Sequence, residues 1–140
     1  MSESALPPLS AALLGVGLTP DRVLALEPMT EGLSGADLAR VRLCSPVGGW
    51  PDAPCVLSSR VVKRIAAGTG WLGAISHDER IREAALWRAG LPRWLPHRIA
   101  LAAEQVVFTE RSADTPASAT LLMRDERSHL MHAPYATDRK

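Results

Sequence analysis

Lysine is almost missing from this chain: of sixteen basic residues, fourteen are arginine and only Lys63 and Lys140 are lysine. Aromatic residues are also scarce, at 4%, and four of them are tryptophans, Trp50, Trp71, Trp87 and Trp94, expected in the core or where lobes pack. No run approaches the roughly 18 apolar residues that span a bilayer. The apolar stretch from Ala5 to Leu18 follows Glu3 with no basic residue before it, which argues against a secretory signal and for a cytoplasmic protein. A net charge of +1 offers no broad attraction to nucleic acid or to a membrane surface. The two cysteines, Cys44 and Cys55, flank a turn-rich stretch. A disulfide across that loop is conceivable, but without an export signal free thiols are expected. No histidine or cysteine lies at metal-ligand spacing beside them, so the sequence gives no support for a metal site.

What is present describes a packed protein. Apolar residues make up 46% and charged residues 22% of the 140, in the range of an ordinary domain or one lobe of a larger one. Pro7 to Leu14 reads as a short helix packing on the body. Arg22 to Met29 reads as extended, and Leu38 to Leu43 alternates apolar with basic residues as a half-buried strand does. Between them, Thr30 to Asp37 is small and rich in turn formers. Ser45 to Pro54 holds enough glycine and proline to be a loop, and Val56 to Ile65 returns as a strand.

Ser76 followed by Glu79 fits a helix N-terminus, with the helix running through Ile81, Leu86 and Trp87 to a stop at Gly90. His77 is then an exposed residue at the helix start, and His129 and His132 fall in a polar tail without partner spacing. Arg98 to Ala103, Gln105 to Glu110 and Ala119 to Met123 read as further strands, with a polar turn from Ser112 to Ser118. Short links between consecutive strands favour antiparallel pairing. The predicted fold class is α+β: an antiparallel sheet of about five strands, one main helix packed on it, and a short N-terminal helix.

Lys63 stands inside the β-branched run Val61-Val62-Lys63-Arg64-Ile65. Two readings are open for it. It is either a solvent-facing charge on an edge strand or an inward, mobile cation suited to a phosphate, a role the planar arginine fork does not fill in the same way. Three features lie in order: glycines between two strands, a lysine in the next strand, and a glutamate on the following helix, where Glu79 and Glu83 share a face. A glycine tip lets backbone N–H groups approach phosphate oxygens, a neighbouring lysine neutralises them, and a helix carboxylate holds that lysine in place.

The runs Glu31 to Val41, Val61-Val62-Lys63, Arg82-Glu83-Ala84-Ala85-Leu86-Trp87 and Leu121-Leu122-Met123-Arg124-Asp125 together resemble the N-terminal lobe of the aminoglycoside phosphotransferase family, in the protein-kinase-like superfamily. The resemblance covers roughly residues 20 to 130. It implies a helical extension over 1–18, a kinase-like N-lobe over 19–127 and a polar tail over 128–140. It implies ATP, or another nucleoside triphosphate with magnesium, as ligand. Lys63 would contact phosphates with Glu83 rather than Glu79 as its partner, Gly32, Ser34 and Gly35 would cap the phosphates, and the backbone from Met123 to Asp125 would meet adenine.

The chain also departs from that pattern. Its loop is Gly32-x-x-Gly35 instead of GxGxxG, Arg124 occupies the first acidic position after the hinge strand, and the segment from Gly35 to Lys63 is long. No histidine-glycine-aspartate loop and no later magnesium aspartate follow within these residues. The expectation is therefore a nucleotide-binding lobe of a truncated or split phosphotransferase, inactive alone, meeting a C-lobe polypeptide or a second copy of itself. The alternative is a stand-alone α+β module for nucleotide binding or protein interaction, without phosphotransferase activity.

Overall fold

The computed structural model describes residues 6, 8–29, 37–46, 48, 54–96 and 103–125. A short helix, α1 (Leu9–Gly15), leads into three successive strands, β1 (Val23–Met29), β2 (Asp37–Pro46) and β3 (Cys55–Ala66). Helices α2 (Gly70–Ser76), α3 (Arg82–Arg88) and α4 (Leu91–Trp94) follow, and β4 (Ala103–Thr109) and β5 (Ser118–Arg124) complete the set. The class is α+β. All five strands join one antiparallel sheet in the order β1-β2-β3-β5-β4.

Strand pairing extends β2 beyond its alternating stretch. It pairs with β3 continuously from Asp37 opposite Arg64 to Pro46 opposite Cys55, so Ser45 and Pro46, expected to open a loop, belong to the strand. Each added pair supplies backbone hydrogen bonds that a free loop would leave to water. At the other end of the chain, β4 begins at Ala103, and the strand expected from Arg98 lies mostly outside the described residues.

Directly opposed residues share a face of the sheet, and the register therefore sorts every side chain. Ala39, Val62 and Leu122 lie on one face with Val41 and Leu43, and Leu13 of α1 and Val16 just after it cover that face. Ile65, Leu121 and Ala119 lie on the other, under Ile81 and Ala84. The result is three layers, α1, sheet and α3. Val41, Val62 and Leu121 are fully buried, and each such side chain contributes about 1.5–3 kcal/mol through removal from water.

The main helix expected from Ser76 to Gly90 is shorter, α3 alone, with the short helices α2 before it and α4 after it. Ser76 ends α2, and does not cap the next helix. His77 and Ile81 both take left-handed backbone conformations, at φ 51° and 52°, and these two reversals break the segment. Asp78 does the capping: its carboxylate accepts the Arg82 backbone N–H at 3.0 Å, where the first turn has no carbonyl to bond. The break drives Ile81 into the core. Gly90 ends α3 as expected, at φ 89°.

The expectation of free thiols is overturned: Cys44 and Cys55 form a disulfide, with Cα atoms 5.2 Å apart. Antiparallel register places them on adjacent strands only two positions out of direct opposition, within bridging reach. The pairing of β2 with β3 thus brings together two residues 11 apart in sequence.

Candidate functional site

Lys63 belongs to an interior strand, since β3 pairs with β2 on one side and β5 on the other. This removes the edge-strand reading. Its direct neighbours across the sheet are Leu38 and Leu121, with Met29 and Val106 beyond them. One cation therefore stands in the middle of a lateral row that is otherwise apolar. Its side chain is 16% exposed, so most of its aliphatic stem is covered.

Glu83 answers that charge from above. Its Oε2 lies 2.7 Å from the Lys63 Nζ. The position follows from α3: Ile81 and Ala84 are buried against the sheet, and Ala84 is small enough for the helix to sit close. Glu83, between them in the first turn, is left at the rim beside β3 and is 49% exposed. Glu79 is not in the pair. It lines a cavity of about 450 Å³ together with Arg88, Phe108 and Glu110, where the Arg88 guanidinium stacks 5.4 Å over the Phe108 ring.

An ammonium carries three N–H donors, and one bond to Glu83 leaves capacity for an anionic oxygen. Because Glu83 is half in solvent, the pair itself adds only about 0–1 kcal/mol to stability. Its chemical consequence is orientation: a mobile four-carbon stem is held with its charge at one place on the sheet.

Met123 lies one row along from Lys63 on the same face, opposite Val61. Asp125 follows the end of β5, and its side chain is only 10% exposed. The Arg40 Nε and the Ser59 hydroxyl both donate to its Oδ2, at 2.8 and 2.6 Å. Glu27 on β1 stands 3.7 Å from Arg40 and 3.6 Å from Arg42. Arg40 and Ser59 were missed by sequence reasoning. The alternation of β2 marked Arg40 as a polar, outward position, and only the register shows which acid it meets.

Gly32, Ser34 and Gly35 lie outside the described residues. The first residue of β2 is Asp37, whose carboxylate contacts the Arg64 guanidinium on the face opposite Lys63. Burial lowers the pKa of Arg64 from its ordinary value. Arg124 lies toward Glu104 at 3.7 Å and takes no part in the Asp125 contacts given above. Trp94 is 83% exposed, which excludes the core half of the expectation of a core or lobe-packing residue, while Trp87 is partly buried and bonds through its indole N–H to the Ala103 carbonyl at 3.3 Å. His77 is exposed but closes α2, and so stands at a helix end instead of a start. Among the described residues, no group of three or more His, Cys, Asp or Glu is arranged to hold a metal ion, and no helix is long and apolar enough to cross a membrane.

The chain matches no protein-family model, no curated protein and no solved structure. A functional reading therefore rests on the residues and geometry of this chain alone.

Proposed function

We propose that this chain is a nucleotide-binding lobe of the kind found at the N-terminus of aminoglycoside-phosphotransferase-like kinases. The observation that carries the reading is the 2.7 Å pair between Lys63 on the third strand and Glu83 on a following helix, the lysine–glutamate arrangement by which kinases hold a phosphate-binding charge. The nucleotide's phosphates would lie at the Lys63 ammonium. Leu38, Val61 and Met123, on the same face, offer apolar surface beside it, and the backbone from Met123 to Asp125 offers hydrogen bonds to a base. ATP or another nucleoside triphosphate fits this donor set, and magnesium would arrive with the nucleotide.

These residues supply charge and orientation for phosphates but no catalytic base, so binding is the activity assigned to them. Phosphoryl transfer would need groups from a further lobe. Partnership with a C-lobe polypeptide, or self-association, is supported by Ile75, Leu86 and Trp94, which are exposed on α2, α3 and α4, because apolar side chains of this size are often covered in assemblies.

Calorimetric titration with ATP and magnesium tests the reading. The wild type is expected to bind, and Lys63→Ala to bind roughly ten- to a hundredfold more weakly, the effect of losing one charge-assisted hydrogen bond. Equal binding by the two proteins would remove Lys63 as the phosphate ligand. No binding by the wild type would overturn the nucleotide reading.

A further inference from the structure

We propose that Arg40 is a positioning residue for the base end of the nucleotide site, acting through the Asp125 carboxylate. The inference rests on the nucleotide reading above. Asp125 is the first residue beyond β5, so the strand ladder no longer fixes its backbone. Its side chain does so instead. One carboxylate oxygen takes the Arg40 Nε from β2 and the Ser59 hydroxyl from β3, at 2.8 and 2.6 Å. Glu27 on β1 faces Arg40 from the other side at 3.7 Å. Four segments thus converge, and the two central charges are nearly enclosed, at 15% exposure for Arg40 and 10% for Asp125. Charges this covered are tolerated only when paired, so the contact is stiff and the chain at Asp125 has little freedom.

This contact sets the length of the site. Leu121 lies directly beside Lys63, and Asp125 is four residues further along the same chain. At the rise of an extended strand that is about 13 Å, a span of the order of an extended nucleoside triphosphate. Phosphates at Lys63 then bring the base to the backbone from Met123 to Asp125. Arg40 itself touches neither end. Its role is to stop that backbone from drifting after the ladder ends, since small misplacements of recognition groups cost affinity steeply.

The experiment separates the two ends of the ligand. Wild type, Arg40→Gln, Arg40→Lys, Ser59→Ala and Lys63→Ala are titrated with adenosine, inorganic tripolyphosphate and ATP. Arg40→Gln is expected to weaken adenosine and ATP by a similar factor, about tenfold, and to leave tripolyphosphate unchanged. Lys63→Ala should weaken tripolyphosphate and ATP while sparing adenosine. Arg40→Lys, which keeps the charge but loses the fork, should recover part of the lost affinity. Ser59→Ala removes one bond to the same oxygen without removing a charge, so it carries the test if Arg40→Gln does not fold; a smaller loss confined to adenosine and ATP is expected. Adenosine affinity unchanged in a folded Arg40→Gln or in Ser59→Ala, or a parallel loss for adenosine and tripolyphosphate, would overturn the inference while leaving the nucleotide reading standing. A wild type that binds tripolyphosphate but not adenosine has the same consequence. A wild type that binds none of the three ligands overturns both.

Discussion

The Lys63 ammonium and the Glu83 carboxylate meet at 2.7 Å but are unequally wrapped, at 16% and 49% exposure. The positive partner is set into the sheet, and the negative one stands at its rim. The pair therefore holds the ammonium against the sheet, with the more exposed carboxylate orienting it. An exchange of the two residues tests this asymmetry. Lys63→Glu with Glu83→Lys keeps an ion pair, and its melting temperature is expected to stay closer to wild type than that of either single variant. Its ATP affinity should not recover, because the positive charge has moved off the sheet. Calorimetry and thermal melts on the same samples give both answers, and full recovery of binding would show that the position of the cation is immaterial.

Ala84 offers a way to move Glu83 without altering it. The residue is fully buried beneath α3, so Ala84→Leu forces the helix away from the sheet. Overpacking of this kind costs about 1–3 kcal/mol. Denaturant titration should show that loss, and ATP affinity should fall although Lys63 and Glu83 are both intact. Unchanged affinity at reduced stability would mean that the position of α3 does not govern the site.

His77 and Ile81 share a left-handed backbone, yet glycine at each is expected to act with opposite sign. His77 is exposed, and glycine relieves the conformational cost there, for a gain of about 0.5–1 kcal/mol. Ile81 is buried in the core between α3 and β5. Ile81→Gly relieves the same backbone cost but removes a packed side chain, so a net loss of about 2–4 kcal/mol is expected. Thermal melts of the two variants decide the point, and a stabilised Ile81→Gly would contradict the packing described.

The Cys44–Cys55 disulfide closes a sequence separation of 11 residues. Chain-entropy reasoning for a loop of that size gives about 2–3 kcal/mol. Urea unfolding of the wild type, with and without dithiothreitol, is expected to differ by this amount. Cys55→Ser should match the reduced wild type and ignore the reductant. In a reducing cytoplasm the protein would carry only the lower of the two stabilities, so the measurement also says how far the hairpin depends on the bond.

Much of the architecture was legible from local pattern. The alternation from Leu38 to Leu43 and the β-branched run around Lys63 both became strands, because period-two burial is a property of neighbouring residues. The helix after Ser76 was misjudged for the converse reason. A cap signal and a run of helix formers are local, but the packing of Ile81 against the sheet is not, and the helix begins only at Arg82, after the left-handed reversals at His77 and Ile81. For Cys44 and Cys55 free thiols are the expectation because no export signal is present, an argument about compartment that carries no information on the β2–β3 register that joins them.

By itself the sequence determined the α+β class, the strands around Leu38–Leu43 and Val56–Ile65, and the isolation of Lys63 among arginines on the second of them. Tertiary structure decided that the strand of that lysine is interior, which face the lysine shares and which acid it meets. Those depend on β5 entering the sheet beside β3, from about 60 residues further along the chain than Lys63. The same long-range pairing brings Arg40 to Asp125 across 85 residues. A contact of that separation leaves no local periodicity to read, because it exists only once the sheet has closed.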